Sequence, residues 1–334
     1  MRLPNRMGEF ERIDRFFAKP AAAHRLKLGQ DAALLGIGDD CALLSARPGQ
    51  AAGARWRSAA DAGTLAISSD MLVSGRHFTA DVDPESLGHK ALAVNLSDLA
   101  AMGAEPLAFT LSLAIDQAQD DAWLAAFSRG LFSLADSYRC ELIGGDTTAG
   151  PLCISLTVIG QVDAELALRR DAAQPGDHLW VSGQLGAAAF ALKYPGKSKL
   201  ATERLHWPEP RIELGMALRG LSACAMDLSD GLLGDICHML ERSRVGVVLF
   251  SDRIPGHEVL RDCEPFERLE LALQGGDDYE LMFTAAPQIK SNIEKLSGKL
   301  GLPLSCIGEI TADHRREVLD ARGKPLDLAF RGFD

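Results

Sequence analysis

Aspartates recur in this chain beside glycine, serine and apolar runs, and that company is the first pointer to chemistry. They stand as Asp39 and Asp40 after Gly36-Ile37-Gly38, Asp70 after Ser68-Ser69, and Asp98 after Leu96-Ser97. Further along come Asp146 in Gly144-Gly145-Asp146-Thr147, Asp227 and Asp230 around Leu228-Ser229, and Asp277-Asp278 after Gly275-Gly276. Aspartate is short and rigid, so several of them hold hard cations at a fixed separation, and magnesium takes oxygen ligands together with substrate phosphates. Glycine beside them lets a backbone approach a ligand closely and leaves N–H donors free. A single Gly-Asp pair is equally a plain turn. Turns alone do not explain why the acids recur beside apolar strands.

Other chemistries lack their residues. The nearest approach to a P-loop, Pro195-Gly196-Lys197-Ser198, has Ala191 where the first glycine is required. The protein-kinase elements His-Arg-Asp and Asp-Phe-Gly are absent, and the eight histidines never pair at zinc spacing. His77 is the one histidine close to an acidic station. The seven cysteines are isolated and odd in number, the pattern of reduced thiols in a cytosol. A net charge of −11, with no basic run longer than Arg169-Arg170 or Arg315-Arg316, argues against nucleic acid as partner. No run approaches the ~18 apolar residues of a membrane span, and the first residues lack a secretory signal, so a cytoplasmic protein is expected.

The elements that must position these acids follow from periodicity. From Ala91 to Ala104, Leu92, Leu96, Leu99 and Met102 form the apolar stripe of a helix, and Asn95 and Asp98 share a polar face. A helix this apolar is buried, so the Asp98 carboxylate needs a cation or several donors; alternatively, Asp98 caps a helix beginning at Leu99. Residues 64–73 read as a strand carrying Asp70, 107–115 and 152–162 as strands, and 120–138 as an amphipathic helix. A short helix is expected over Glu9 to Phe17, and Ser45 to Gly63, without period, as a long loop. A polar stretch, Asp163 to Asp177 with Pro175-Gly176, is the expected junction, after which strands and helices resume. The chain of 334 residues is therefore expected to form two α+β domains, 1–163 and 164–334.

Six ordered blocks carry a resemblance over nearly the whole chain. They are Gly36 to Leu44, Ile67 to Phe78, Lys90 to Ala104, Ile143 to Thr148, Asp227 to Leu232 and Gly275 to Leu281. The sequence resembles the thiamine-monophosphate kinase family. The resemblance implies a fold shared with aminoimidazole ribonucleotide synthetase: two domains, each a mixed or antiparallel sheet flanked by helices. It further implies a homodimer formed through the N-terminal domains, which bind metal and ATP while the C-terminal domain completes the site. The implied activity is ATP-dependent phosphorylation of thiamine monophosphate to thiamine diphosphate. Carried over by motif, Asp40, Ser68, Ser69, Asp70, Asp98, Asp146, Asp227 and Asp230 would surround Mg2+ ions. Gly145, Asp146, Arg170 and Ser229 would meet ATP, and His77, Asp277 and Phe330 the thiamine end.

Two departures stand out: Asp277 replaces the family's usual glutamate, one methylene shorter, and Ser69 and Met71 stand where threonines are common. The acceptor is already an anion near neutral pH, so neither a covalent nucleophile nor a strong general base is called for, and direct in-line transfer is expected. A sibling ATP-dependent synthetase of the same fold, or a non-catalytic magnesium-nucleotide sensor, is the alternative. The selenium branch of that fold would want a reactive cysteine near the N-terminus, which Met1 to Phe10 lacks.

Overall fold

The computed structural model describes residues 33–35, 37–45 and 64–330. The helix expected over Glu9 to Phe17 and nearly all of the loop expected over Ser45 to Gly63 lie outside them.

Two six-stranded sheets organise the described chain. The first contains β1 (Ala33–Leu35), β2 (Ala42–Ser45), β3 (Thr64–Val73), β4 (Glu105–Ile115), β5 (Glu141–Ala149) and β6 (Cys153–Val162), in the order β1-β2-β3-β6-β4-β5. Only β4 and β5 run parallel; the other neighbours are antiparallel. Along β6 buried and half-buried residues alternate, the period-two pattern of a strand with one face on a core. β5 is the edge strand, and its residues are exposed save the half-buried Leu142.

The first sheet is covered by helix α1 (Pro84–Ala101) and, packed on it, α2 (Asp121–Tyr138). α1 starts at Pro84, eight residues before Leu92, the first residue of the apolar stripe. Asp83 caps it, its side chain accepting from the Ser86 amide at 2.8 Å, and Pro84 fills the first turn where no N–H is needed. It stops at Met102, where Gly103 turns left-handed (φ 65°) and the Ala104 amide returns to the Leu99 carbonyl. Asp98 therefore lies in the last turn of α1 and caps nothing at its start. α1 and α2 touch through glycines: a Cβ on Gly88 would stand 2.0 Å from the Phe127 carbonyl oxygen, and one on Gly130 1.7 Å from that of Glu85.

The second sheet holds β7 (His178–Ser182), β8 (Cys224–Asp227), β9 (Gly246–Phe250), β10 (Leu281–Ala285), β11 (Leu304–Thr311) and β12 (Arg316–Leu319), in the order β12-β9-β11-β7-β10-β8. β12 is parallel to β9 and the rest are antiparallel. Around it lie α3 (Ala187–Lys193), α4 (Lys199–His206), α5 (Ile212–Leu218), α6 (Leu232–Ser243), α7 (Pro265–Gln274) and α8 (Lys290–Leu300). Two mixed sheets flanked by helices are the expected class. Short elements escaped the sequence reading: β8 and β12 have four residues each, too few for a period to emerge. α1 belongs to both halves, since it also packs against α5 and β8. It is the axle of the molecule.

Candidate active site

At the C-terminal end of α1 three carboxylates meet. Asp40 enters from the turn before β2, Asp98 from α1, and Asp227 from the end of β8. One oxygen of each lies within 4.8 Å of one from the others, although they come from both halves of the chain. Asp40 and Asp227 are buried and Asp98 half-buried. Ser68 donates to Asp98 Oδ2 at 2.5 Å. Asp70, two residues on and so on the same face of β3, is held by its backbone: its amide donates to Asn95 Oδ1 at 3.1 Å. Asn95 in turn donates to the Ala91 carbonyl, so the shared polar face of Asn95 and Asp98 points at β3.

These acids are electrostatically crowded. Burial, then the charges of Asp70, Asp227 and Asp40, push the Asp98 carboxyl well above its ordinary value. Asp227 rises as well, through burial and then Asp40. Asp39 reaches about 7 through burial and the adjacent Asp40. Arg170 supplies one counter-charge: its Nε donates to Asp40 Oδ2 at 2.9 Å and its Nη2 to Oδ1, while its amide bonds Asp39. Burial alone would lower the Arg170 pKa, but Asp40 outweighs it and holds the guanidinium charged. The Ser97 hydroxyl is buried beside Asp227, where its hydrogen bond opposes part of that carboxyl's rise. A buried, hard-oxygen cluster of three carboxylates with one cation among them fits a divalent metal such as magnesium.

The turn after β8 carries two more of the expected residues. The Ser229 and Asp230 amides both donate to Asp235 Oδ2, at 3.0 and 3.1 Å. Asp235, on the first turn of α6, has its carboxyl raised to about 8 by burial and then by Asp230. Nothing in the local sequence marked it, because an acid in a first helical turn reads as a dipole partner.

Asp277 lies across this turn. Its amide donates to the Ser229 carbonyl at 2.8 Å, and its backbone is left-handed (φ 68°). Its carboxylate meets Lys90 of α1, Nζ to Oδ1 at 3.0 Å, and accepts from the Tyr279 hydroxyl at 3.0 Å. The acids that follow it are anchored. Asp278 accepts the Gly186 amide ahead of α3, and Glu280 takes Ser182 at 2.5 Å and Arg211 Nε at 2.7 Å. Lys90, Arg211 and Glu280 escaped the sequence reading because an ordinary charged residue on a helix or strand reads as solvated.

The remaining expected residues are more dispersed. Ser69 is exposed on β3, bonding the Leu156 carbonyl. His77 is exposed in the turn after β3, where Nδ1 accepts the Val73 amide at 2.9 Å, which leaves the proton on Nε2. Phe330 packs half-buried on the second core. Gly145 and Asp146 sit on edge strand β5. Asp70 pairs with Leu156, Leu156 with Leu111 and Leu111 with Gly145, so three strand spacings, about 14 Å, separate Asp70 from this edge. Asp146 therefore stands apart from the three-carboxylate cluster. A Cβ at Gly145 (φ 146°) would lie 1.8 Å from the Leu111 carbonyl oxygen, which explains the glycine.

Residues 38–162 match the AIR synthase related protein N-terminal domain and residues 174–320 its C-terminal domain. The chain is 42% identical over 337 residues to a thiamine-monophosphate kinase of Escherichia coli K12, covering 98% of both chains. It is 38% identical to that of Haemophilus influenzae, again with 98% of both covered. Among solved structures, the thiamine-monophosphate kinase of Stenotrophomonas maltophilia K279a superposes with a TM-score of 0.75 at 40% identity, over 93% of this chain and 98% of that one. AaThiL complexed with AMPPCP and TMP superposes with a TM-score of 0.77 at 26% identity, over 99% and 98%.

Proposed function

This chain belongs to the thiamine-monophosphate kinase family, and from that premise we propose that it forms thiamine diphosphate by direct in-line transfer from ATP, with magnesium held by its aspartates. The observation that carries the reading is the meeting of Asp40, Asp98 and Asp227 within 4.8 Å, supported by Arg170 on Asp40. Asp40, Asp98 and Asp227 would hold the metal, with Ser68, Ser69, Asp70 and Asp230 around them. When bound, the metal neutralises phosphate oxygens and orients them.

The chain's own residues supply the rest. The acceptor is a phosphate monoester, an anion, so the barrier is the approach of one polyanion to another rather than loss of a proton. Arg170 contributes a fixed positive group at the phosphate end. Ser229, with Gly145 and Asp146, meets the nucleotide, and Asp235 fixes the Ser229-Asp230 backbone. His77, Asp277 and Phe330 take the thiamine end.

The division of labour follows: 1–163 binds metal and nucleotide and dimerises, and 164–334 completes the site. The exposed edge strand β5, with Ile143 at 55% exposure, and Met71 on β3 at 56% support a homodimer through the N-terminal sheets. In that assembly Gly145 and Asp146 serve from the dimer-facing edge. Among the described residues no helix is long and apolar enough to cross a membrane; we assign the enzyme to the cytoplasm. The test is an assay of purified protein with ATP, magnesium and thiamine monophosphate. Formation of thiamine diphosphate at a rate linear in enzyme is expected. Nucleotide binding without turnover would overturn the reading in favour of a sensor.

A further inference from the structure

We propose that Lys90 is a positioning residue for substrate recognition: with Tyr279 it fixes the Asp277 carboxylate across the junction of the two halves, aiming its second oxygen at the organic cation of the acceptor. The inference rests on the reading that Asp277 meets the thiamine end, and it adds the group that makes Asp277 competent there.

Lys90 is 4% exposed, and a buried ammonium is costly unless a partner compensates it. Among the described residues its ion-pair partner is Asp277, at 3.0 Å. The Tyr279 hydroxyl reaches the same oxygen, Oδ1, also at 3.0 Å. Two donors on one oxygen, one from each half of the chain, leave a carboxylate a single orientation. No donor from the described residues reaches Oδ2.

The backbone makes this arrangement stiff. Asp277 and Tyr279 both have positive φ, 68° and 49°, and their amides are tied to the Ser229 and Leu228 carbonyls. Glu280 beyond them is clamped by Ser182 and Arg211. Asp277 cannot slide to meet a ligand, so its side chain must be aimed. An aspartate is one methylene shorter than a glutamate, with less reach and fewer rotamers, and Lys90 selects among those that remain. His206 also feels the pair: burial and Lys90 lower its pKa, while Asp277 acts the other way. A neutral His206 leaves the ion pair balanced. The ligand class that fits Oδ2 is a nitrogen heterocycle carrying N–H donors or positive charge, which the aminopyrimidine and thiazolium of thiamine supply.

The test uses the full-length enzyme in steady-state kinetics with calorimetric binding of thiamine monophosphate. Lys90→Met keeps the stem and removes the charge, and Asp277, with its side chain 24% exposed, is left where water can solvate it. KM and Kd for thiamine monophosphate are expected to rise about tenfold, the size of one charged hydrogen bond, with KM for ATP and the magnesium requirement within about twofold. Tyr279→Phe, a milder change, should move the same constants about threefold in the same direction. Lys90→Met combined with Asp277→Asn should be no worse than the more affected single variant, because the two act as one unit. Equal rises in both KM values would mean a clamp between the halves with no role in recognition. Unchanged constants in Lys90→Met, or in Tyr279→Phe should Lys90→Met not fold, would also overturn the proposal. If Asp277→Asn itself binds thiamine monophosphate like the wild type, the placement of Asp277 at the thiamine end fails first, and this inference with it.

Discussion

Protons and metal compete for the same oxygens at Asp98 and Asp227. Both carboxyls are raised, by burial first and neighbouring carboxylates second, so the folded metal-free protein holds protons that the unfolded chain has released above about pH 4. That contribution to stability is whole below the unfolded value and is lost as pH rises through the folded values, where Asp39 at about 7 and Asp235 at about 8 titrate too. Metal-free protein should therefore melt at lower temperature at about pH 8.5 than at about pH 6. Magnesium should raise the melting temperature more at the higher pH, since ligands must be deprotonated. Calorimetry with and without the ion checks this; a shift independent of pH would remove the carboxylates from the metal site. Asp98→Asn should cut kcat by a hundredfold or more, about 2.7 kcal/mol in barrier, while the metal-free protein melts at least as high as wild type because one buried charge is gone. Near-wild-type turnover would end the metal role. At this scale the sequence was partly legible: the spacing of Asn95 and Asp98 put them on one face, and they are found there together. Which of the recurring acids meet was not, because Asp40, Asp98 and Asp227 converge only through tertiary packing. Lys90 was invisible for the same reason, its burial depending on Asp277 in the other half.

α1 carries Lys90, Asn95, Ser97 and Asp98, so what holds α1 holds the site. Its contact with α2 is backbone against backbone at Gly88 and Gly130. Gly130→Ala would put a methyl 1.7 Å from the Glu85 carbonyl oxygen and force the helices apart, at a cost of about 1–3 kcal/mol. Melting temperature and kcat should fall together, since the helix carries the acids with it. Gly298→Ala on α8 is the control: nothing lies within 4 Å of its Cβ, and the exposed helix should gain about 0.5–1 kcal/mol. Chemical denaturation of the two variants separates the cases, and equal effects would refute a packing role for Gly130. Long periodic elements such as β3 and α2 were legible because their burial follows one rule along the chain. α1 was placed but cut short at its start, since Pro84 and the Asp83 cap precede the apolar stripe.

Taken whole, the molecule is two sheets tied by buried ions. Arg170 lies in the segment between the sheets, its guanidinium on Asp40 and its carbonyl accepting from Ser243 of α6 at 2.8 Å. Arg170→Met would strip a carboxylate whose side chain is fully buried, costing about 3–5 kcal/mol. Metal-free Arg170→Met should melt well below wild type, with magnesium recovering part of the loss at the site Arg170 had neutralised. No recovery would place the metal elsewhere. The pairing of the halves was beyond sequence reasoning, which marked the polar stretch between them but not what crosses it. One feature of α1 bears on which acceptors this enzyme will take. Lys90 and Asp98 are eight residues apart on one uninterrupted helix, a rise of about 12 Å. On the proposed placement of the thiamine end at Asp277, the helix is a ruler, with the organic end of the acceptor read at one mark and its phosphate presented at the other. Because a helix neither stretches nor shortens, length is measured as strictly as charge. A thiamine phosphate analogue with its hydroxyethyl arm longer by one methylene should bind nearly as well yet transfer phosphate on the order of a hundredfold more slowly, the penalty of a reacting atom about 1 Å out of place.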